Sequence, residues 1–282
     1  MLPLVSVVIT TKNHAGVIED CLLSIKNQSY PSGSIEIIVV DNFSTDDTYK
    51  KAKRYSPFVF RKGPERTAQR NFGMLKKASG KYVLYLDADM RLSKDIVKQS
   101  VTIMEKKRSI VGIYIPEIVI GYSFWVNIRR FERSFYDGTA IDCVRFIRRQ
   151  SFVNIHGFDT NLDGTEDWDL DKRLRAIGET AIITESFYHN EGNFSLKTYL
   201  AKKGYYAKNF ITYIKKWGRN DQDVKKQFSL WYRLFGVFVE KGKWKKIVKN
   251  PHLFITLLFL RLLVAVKVFF VMHIYDKNFR SR

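Results

Sequence analysis

The sequence predicts an α/β fold, a doubly wound and mostly parallel sheet flanked by helices, with a basic helical region after it. Continuous β-branched and aliphatic runs at residues 4–10, 35–40 and 82–86 have the pattern of strands buried on both faces. The segments between them carry apolar residues at helical spacing. Strand, helix, strand, helix, strand at that spacing builds a parallel sheet. Charge distribution sets the rest apart: residues 190–282 hold 20 Lys and Arg against 5 Asp and Glu, most of the chain's net +20.

The elements follow in order. After the first strand, Lys12 to Gly16 break the pattern. Val17, Cys21, Leu22 and Ile25 then fall on one helical face, and Ser29-Tyr30-Pro31 closes that helix. The second strand ends in Asp41-Asn42, and Ser44-Thr45-Asp46-Asp47 caps a helix starting near Thr48. A short strand at Val59-Phe60 and a helix over 67–77 lead to the strand that ends at Asp87. Beyond Asp89 the pattern predicts a helix over 94–106, a strand over 110–115, an aromatic-basic stretch over 122–136 and a strand over 144–147. A helix over 167–177 and a strand over 181–183 follow, and from Leu196 the pattern is helical.

With 282 residues, 45% hydrophobic and 15% aromatic, the chain can bury a large core and is not compositionally disordered. A basic, aromatic-rich C-terminal third points to a polyanionic partner, nucleic acid or an anionic membrane surface. Two cysteines, Cys21 and Cys143, are too few for a disulfide framework and suit a reducing compartment. The opening MLPLVSVVITTKN lacks the basic start and cleavage site of a signal peptide and reads as a strand.

In a doubly wound sheet the ligand crevice lies beyond the carboxyl ends of the strands. The polar residues there are Thr10 to Asn13, Asp41-Asn42 and Asp87 to Asp89, so three segments distant in sequence line one crevice, with Asp41 expected beside Asp87. Two carboxylates one residue apart at a strand end suit a hard divalent cation bridging them to a diphosphate. Asp41 has the place of a carboxylate that binds a ribose or a base edge. Thr165-Glu166-Asp167-Trp168-Asp169 opens a helix, where acids also complement the dipole. The Gly157-Phe158-Asp159 and Gly164 around it suggest a flexible acceptor loop, Trp168 offers a stacking face, and a carboxylate there can deprotonate an acceptor hydroxyl. His189 follows a strand-like segment and is chemically suited to join Asp89 as a metal ligand. Arg66, Gln69, Arg70 and Asn71 lie in or just before the helix ahead of the fourth strand, and Arg matches phosphate by its planar fork.

Taken together, VSVVITTKN, EIIVVDNFSTDDT, AQRNFG, YVLYLDADM, GFDTNLDGTEDWDLDKRLRAIG and YHNEG resemble family 2 glycosyltransferases of the GT-A fold, over residues 4–192. The resemblance implies an inverting transfer from a nucleotide diphosphate sugar, GDP-mannose or a UDP-hexose, with Mg²⁺ or Mn²⁺. It implies Thr10, Asn13 and Asp41 as the nucleoside-binding set, with Arg70 near the donor. Asp87 becomes the donor-contacting acid, Asp89 and His189 the metal ligands, and Asp167 the general base. Glu166 and Trp168 are expected on the acceptor side. The Gln-x-x-Arg-Trp motif of processive members has no counterpart, which favours transfer of a single sugar. The catalytic domain is expected over 1–192, its nucleotide-sugar half about 1–90 and its acceptor half about 91–192.

Residues 193–282 form the basic region. Residues 253–272 are long enough to span a bilayer. Arg261 near the middle and Lys267 bring the insertion balance close to zero, which favours an interfacial helix. Residues 228–239 are a second apolar stretch, with Trp231 and Tyr232 as interface anchors. Lys241, Lys243, Lys245, Lys246 and Lys249 read as contacts to anionic lipid. The expectation is attachment through 228–282 at the cytoplasmic side of the cell membrane, peripheral or by one C-terminal helix, with a lipid-linked glycan as acceptor. A soluble transferase acting on protein glycans or polysaccharide is the alternative. Nucleic acid is not expected as a partner, since the charge lies away from the crevice and no nucleic-acid motif occurs. The Gly-rich basic loop of a sugar nucleotidyltransferase is not present in TTKNHAG.

Overall fold

A computed structural model describes residues 2–192, 194–207 and 209–280. Strands are β1 (Val5–Thr11), β2 (Ile35–Asp41), β3 (Phe58–Arg61), β4 (Tyr82–Asp87), β5 (Met90–Leu92), β6 (Ile110–Tyr114), β7 (Glu117–Ile120), β8 (Phe146–Arg148), β9 (Glu179–Ile182) and β10 (Phe187–Asn190). Helices are α1 (Ile18–Lys26), α2 (Thr48–Lys53), α3 (Arg66–Asn71), α4 (Ile96–Lys106), α5 (Phe124–Arg133), α6 (Arg149–Asn154) and α7 (Glu166–Arg175). They continue with α8 (Leu196–Ala207), α9 (Phe210–Trp217), α10 (Gln222–Phe228), α11 (Val237–Val239), α12 (Lys245–Lys249) and α13 (Pro251–Arg280).

Two compact units result. The first holds the chain up to Ile118, Cys143–Thr160 and Glu166–Asn190; the second holds Val119–Asp142, Asn161–Thr165 and the chain from Glu191 on.

The first unit is built on a seven-stranded sheet in the order β3-β2-β1-β4-β8-β6-β9. β1 to β4 are mutually parallel and β6 runs parallel to β9, while β8 is antiparallel to both β4 and β6. Strand side chains alternate between faces. Val7, Ile9, Leu84 and Leu86 pack with α1 and α4 on one side. Val8, Ile38, Val40, Val83 and Tyr85 pack with Met74, Phe152, Leu170 and Leu174 on the other. Burial on both faces is why these strands read as unbroken apolar runs. A second sheet, β5-β10-β7, was not expected from the sequence. Its strands are three or four residues long, too short to show a period.

The helix expected over 67–77 divides: α3 ends at Asn71 and Phe72–Lys77 forms a π turn. The wider turn lays Gly73 flat on the sheet, where an added Cβ would stand 2.3 Å from Val8 Cγ1 and 3.3 Å from Val40 Cγ2. The segment expected to be a flexible acceptor loop is tied down at several points. Gly157 takes the left-handed φ of 69°, and the Asn71 side chain donates to Phe158 O and accepts from Phe158 N, each at 2.8 Å. Within the second unit, Asn209 holds Asp163 O at 2.9 Å, and Gly164 lies so close to Tyr206 that a Cβ would meet its ring at 2.5 Å.

The second unit has an aromatic core in which Phe131, Phe135, Phe238 and Phe254 stack edge to face in succession, with centroids 4.9–5.1 Å apart. The Gly73→Ala variant is expected to lose about 1–3 kcal/mol of stability through overpacking against Val8. Urea unfolding with an unchanged slope and a lowered midpoint is the check.

Candidate functional site

Parallel pairing sets the register at the strand ends. Thr10 lies opposite Asp87 and Thr11 opposite Asp41. The three polar clusters therefore meet at one sheet edge, but β1 stands between β2 and β4, so Asp41 is not beside Asp87. Gln69 closes this edge, its Nε2 donating to Thr11 O at 3.1 Å and Val40 O at 2.6 Å.

Asp87 carries most of the contacts. Its Oδ1 accepts from Thr10 Oγ1 at 2.9 Å and Arg70 Nη2 at 3.2 Å, and its Oδ2 accepts from Arg66 Nη1 at 3.2 Å. Burial pushes this carboxyl upward, yet the cations of Arg70, Arg66 and Arg145 outweigh it and hold Asp87 well below the usual carboxylate range. Arg70 is buried. Its Nη1 donates to Asp167 Oδ1 at 2.8 Å and to Glu166 Oε1 at 3.4 Å. The guanidinium lies over the rings of Tyr85, at 4.6 Å, and Phe158, at 5.3 Å. The Tyr85 hydroxyl sits 2.9 Å from Val144 O and 3.3 Å from Asp167 Oδ1. Of the acids in this group Asp167 is the most open, 28% exposed against 18% for Asp87.

Glu166 does not have the acceptor-facing position expected of it. It is 2% exposed and lies between Arg70 and Arg66, the latter at 3.7 Å. Burial, and next the charge of Asp167, push its carboxyl up to about 7 against the pull of the two arginines. Trp168, half-buried, is one residue further along the first turn of α7.

Beyond Ala88 a different environment begins. Strand β10 pairs with β5 so that His189 lies opposite Met90, and Asn190 N donates to Asp89 O at 2.9 Å. His189 Nε2 lies 3.4 Å from Asp89 Oδ2, and Nδ1 lies 2.8 Å from Glu117 Oε1. Burial lowers the imidazole, but Glu117 and Asp89 outweigh it and raise it to about 10. Asp89 Oδ1 is buried with no hydrogen-bond partner, the condition of an oxygen that a cation would satisfy. One carboxylate and one imidazole backed by a second carboxylate are a donor set that fits Mn²⁺, and Mg²⁺ through its oxygen. No cluster of three or more His, Cys, Asp or Glu able to hold a metal occurs among the described residues. Diphosphate and water would have to supply the remaining ligands.

At the other end, Asn13 takes a left-handed φ of 55° and its Oδ1 accepts from Thr45 N at 2.9 Å. Asp41 is buried, and Oδ2 accepts from Ser44 N at 2.9 Å. Both residues thus shape the 42–48 loop as well as lying at the crevice. Thr10 is spent on Asp87, while the buried Thr11 Oγ1 has no hydrogen-bond partner.

Tyr85, Glu117 and Arg145 were not singled out by sequence reasoning. Arg145 is buried over the rings of Tyr85, at 5.2 Å, and Phe187, at 4.9 Å. The available signal was a charge inside an apolar strand, Glu117 ahead of Ile118-Val119-Ile120 and Arg145 within CVRFI, since buried charges require partners.

The fold and this strand-end cluster of acids and arginines define a family. Residues 6–158 match the family model described as Glycosyl transferase family 2. The chain belongs to that family. It is 27% identical over 214 residues, 71% of its length, to a Staphylococcus aureus poly(ribitol-phosphate) beta-N-acetylglucosaminyltransferase, TarS. It is 25% identical over 195 residues, 61% of its length, to a Nostoc beta-monoglucosyldiacylglycerol synthase. Those matches span 35% and 41% of the two relatives. A mannosyltransferase of Pyrobaculum calidifontis, PcManGT, solved with GDP-Man and Mn²⁺, superposes with a TM-score of 0.65 at 18% identity. That superposition covers 95% of this chain and 88% of the other, and it shows a shared GT-A fold.

Folded Glu166 keeps its proton up to about pH 7, whereas the unfolded group releases it near 4.5. Between those values the folded state binds more protons, so this group's contribution to stability falls as pH rises. Glu166→Gln is expected to remove that falling limb, read from chemical unfolding at intervals between pH 4.5 and 7.

Proposed function

We propose that this protein is an inverting glycosyltransferase that moves one sugar from a nucleotide diphosphate sugar, GDP-mannose or a UDP-hexose, to a hydroxyl of a lipid-linked acceptor. The observation that carries the reading is the Arg70 bridge, which joins Asp87 at the end of β4 to Asp167 at the start of α7. Two carboxylates on two arms of one guanidinium, the second partly open to solvent, support a base held in fixed relation to a donor site, as a single displacement would use.

In this reading Asn13, Asp41 and the loop they shape receive the nucleoside, and Thr10 fixes Asp87. Ser44 gives way where Asp41 reaches a base or ribose. Asp87, held ionised by Arg70 and Arg66, orients the donor. Asp89 and His189 would hold a divalent cation, which offsets charge on the departing diphosphate when bound. Arg70 and Tyr85 hold Asp167 toward the acceptor. As the acceptor oxygen bonds to the anomeric carbon, its proton passes to Asp167. The bond from that carbon to the diphosphate oxygen breaks, and the diphosphate leaves with the electron pair. Attack opposite the leaving group inverts the anomeric centre. Trp168, the next residue along α7, offers the acceptor a flat face, and Glu166 serves to position Arg70. The Nostoc relative, by its name, makes a lipid product. That and the apolar C-terminal helix support a lipid-linked acceptor and attachment at the cytoplasmic membrane face through 228–282.

Asp167→Asn is expected to lower transfer at least 10²-fold, the scale of a lost general base, while donor affinity changes less than about threefold. Isothermal titration beside a turnover assay is the check, and turnover near wild type would remove Asp167 from the role. A nucleotide-sugar panel with Mn²⁺ is expected to select one base, and EDTA to suppress the transfer. Activity unchanged by EDTA would overturn the metal ligands assigned to Asp89 and His189.

A further inference from the structure

In helix α13, within the second unit, composition and packing disagree. Over Pro251–Ile274 it is long and apolar enough to cross a membrane, and an 18-residue window within it has a mean hydropathy of 2.5. Yet Arg261, near the middle of that stretch, is 7% exposed and anchored in the protein. Its Nε donates to Glu132 Oε1 at 3.0 Å, and its guanidinium lies 4.4 Å from the ring of Phe238. Glu132, on α5, also pairs with Arg129, which reaches Glu191 at 3.0 Å. Burial pushes the Glu132 carboxyl upward, but Arg129 and Arg261 outweigh it and hold it far below the usual range.

One side of α13 is therefore a protein contact, with Leu257 and Leu260 buried alongside Arg261. The opposite side is an exposed apolar stripe of Ile255, Phe259, Leu262, Val266, Phe269 and Phe270. Their spacing follows the helical repeat, so they share a face. Elsewhere in the same unit Trp231 and Trp244 are exposed, as are Lys202, Lys245 and Lys249. Exposed indole rings and lysines are the surface chemistry of an anionic lipid leaflet.

We propose that α13 is a monotopic anchor: it lies in the plane of one anionic leaflet with the 255–270 stripe in lipid, clamped to α5 by the buried Arg261–Glu132 pair. The inference rests on the membrane attachment proposed above and decides its geometry. Spanning would carry Arg261 to the bilayer midplane, where a charged side chain is strongly disfavoured. It would also break the pair with Glu132 and leave a buried carboxylate short of a counter-charge. Lying flat incurs neither cost, and the stripe from Ile255 to Phe270 then presents a strip about 23 Å long to the surface.

The test uses the full chain with vesicles of phosphatidylglycerol and phosphatidylcholine. Single cysteines at 255, 262 and 269, in a background with Cys21→Ala and Cys143→Ala, carry an environment-sensitive fluorophore quenched by lipids spin-labelled at shallow or deep positions. An in-plane anchor gives equal, shallow depths at all three sites. The Ile255→Ser, Phe259→Ser and Phe269→Ser triple variant then partitions onto vesicles at least tenfold less while retaining its circular dichroism. A profile deepest at 262 and shallow at 255 and 269 would overturn the in-plane geometry and leave attachment standing. No vesicle binding by the wild-type chain would overturn both. A stable dimer whose stripe stays shielded from lipid quenchers would assign the face to a second copy and also overturn the proposal.

Discussion

The first unit depends on one buried cation. Arg70 sits against Tyr85 and Phe158 and is neutralised by carboxylates from β4 and α7, segments that are far apart in the chain. Neither half of that arrangement is stable alone. The guanidinium could not be buried without its acids, and the half-buried Asp87 stays ionised because two arginines offset its charge. A core of similar volume made from apolar side chains would be at least as stable, since desolvation takes back most of what a buried ion pair contributes. The arrangement is better accounted for by what it positions, a partly exposed Asp167 carboxylate in fixed relation to the end of β4.

Asp87 and Asp89 show how two acids one residue apart acquire different chemistry. Asp87 already has Thr10, Arg66 and Arg70 on its oxygens. Asp89 has only a long contact to His189 on one oxygen and nothing on the other. A cation has little to gain at the first and much at the second. Glu117 sharpens the difference, because a carboxylate behind the imidazole raises its basicity and fixes which nitrogen faces Asp89.

The sheet was legible in the sequence because burial on both faces leaves a mark along a single strand, as in residues 82–86. The strand-end crevice followed from topology alone. What stayed hidden was whatever depended on partners across the chain. The run 110–120 contains two strands with different sheets as partners, and nothing local separates β6 from β7. Glu166 and Asp167 are adjacent acids on one helix turn. Only the placement of Arg66 and Arg70 buries one and leaves the other open. The family resemblance could not say that Thr10 would be spent on Asp87.

The C-terminal charge illustrates the same limit. Composition treats each of its basic residues as available to a polyanion, but several are internal. Arg261, together with Arg129 of α5, neutralises Glu132. Lys241 donates to Gly138 O, Lys243 to Phe135 O and Asp137 O, and Lys246 to Ser134 O, so three lysines of the 241–249 cluster satisfy carbonyls at and just after the end of α5. That leaves Lys245 and Lys249 of the cluster, each worth about 1 kcal/mol beside an anionic surface. The apolar stripe of α13 must then supply most of any attachment, with the remaining cations setting which side faces lipid. Charge-driven binding weakens steeply with salt, whereas apolar burial does not. Attachment of this kind therefore persists at ionic strengths that would release a purely basic patch.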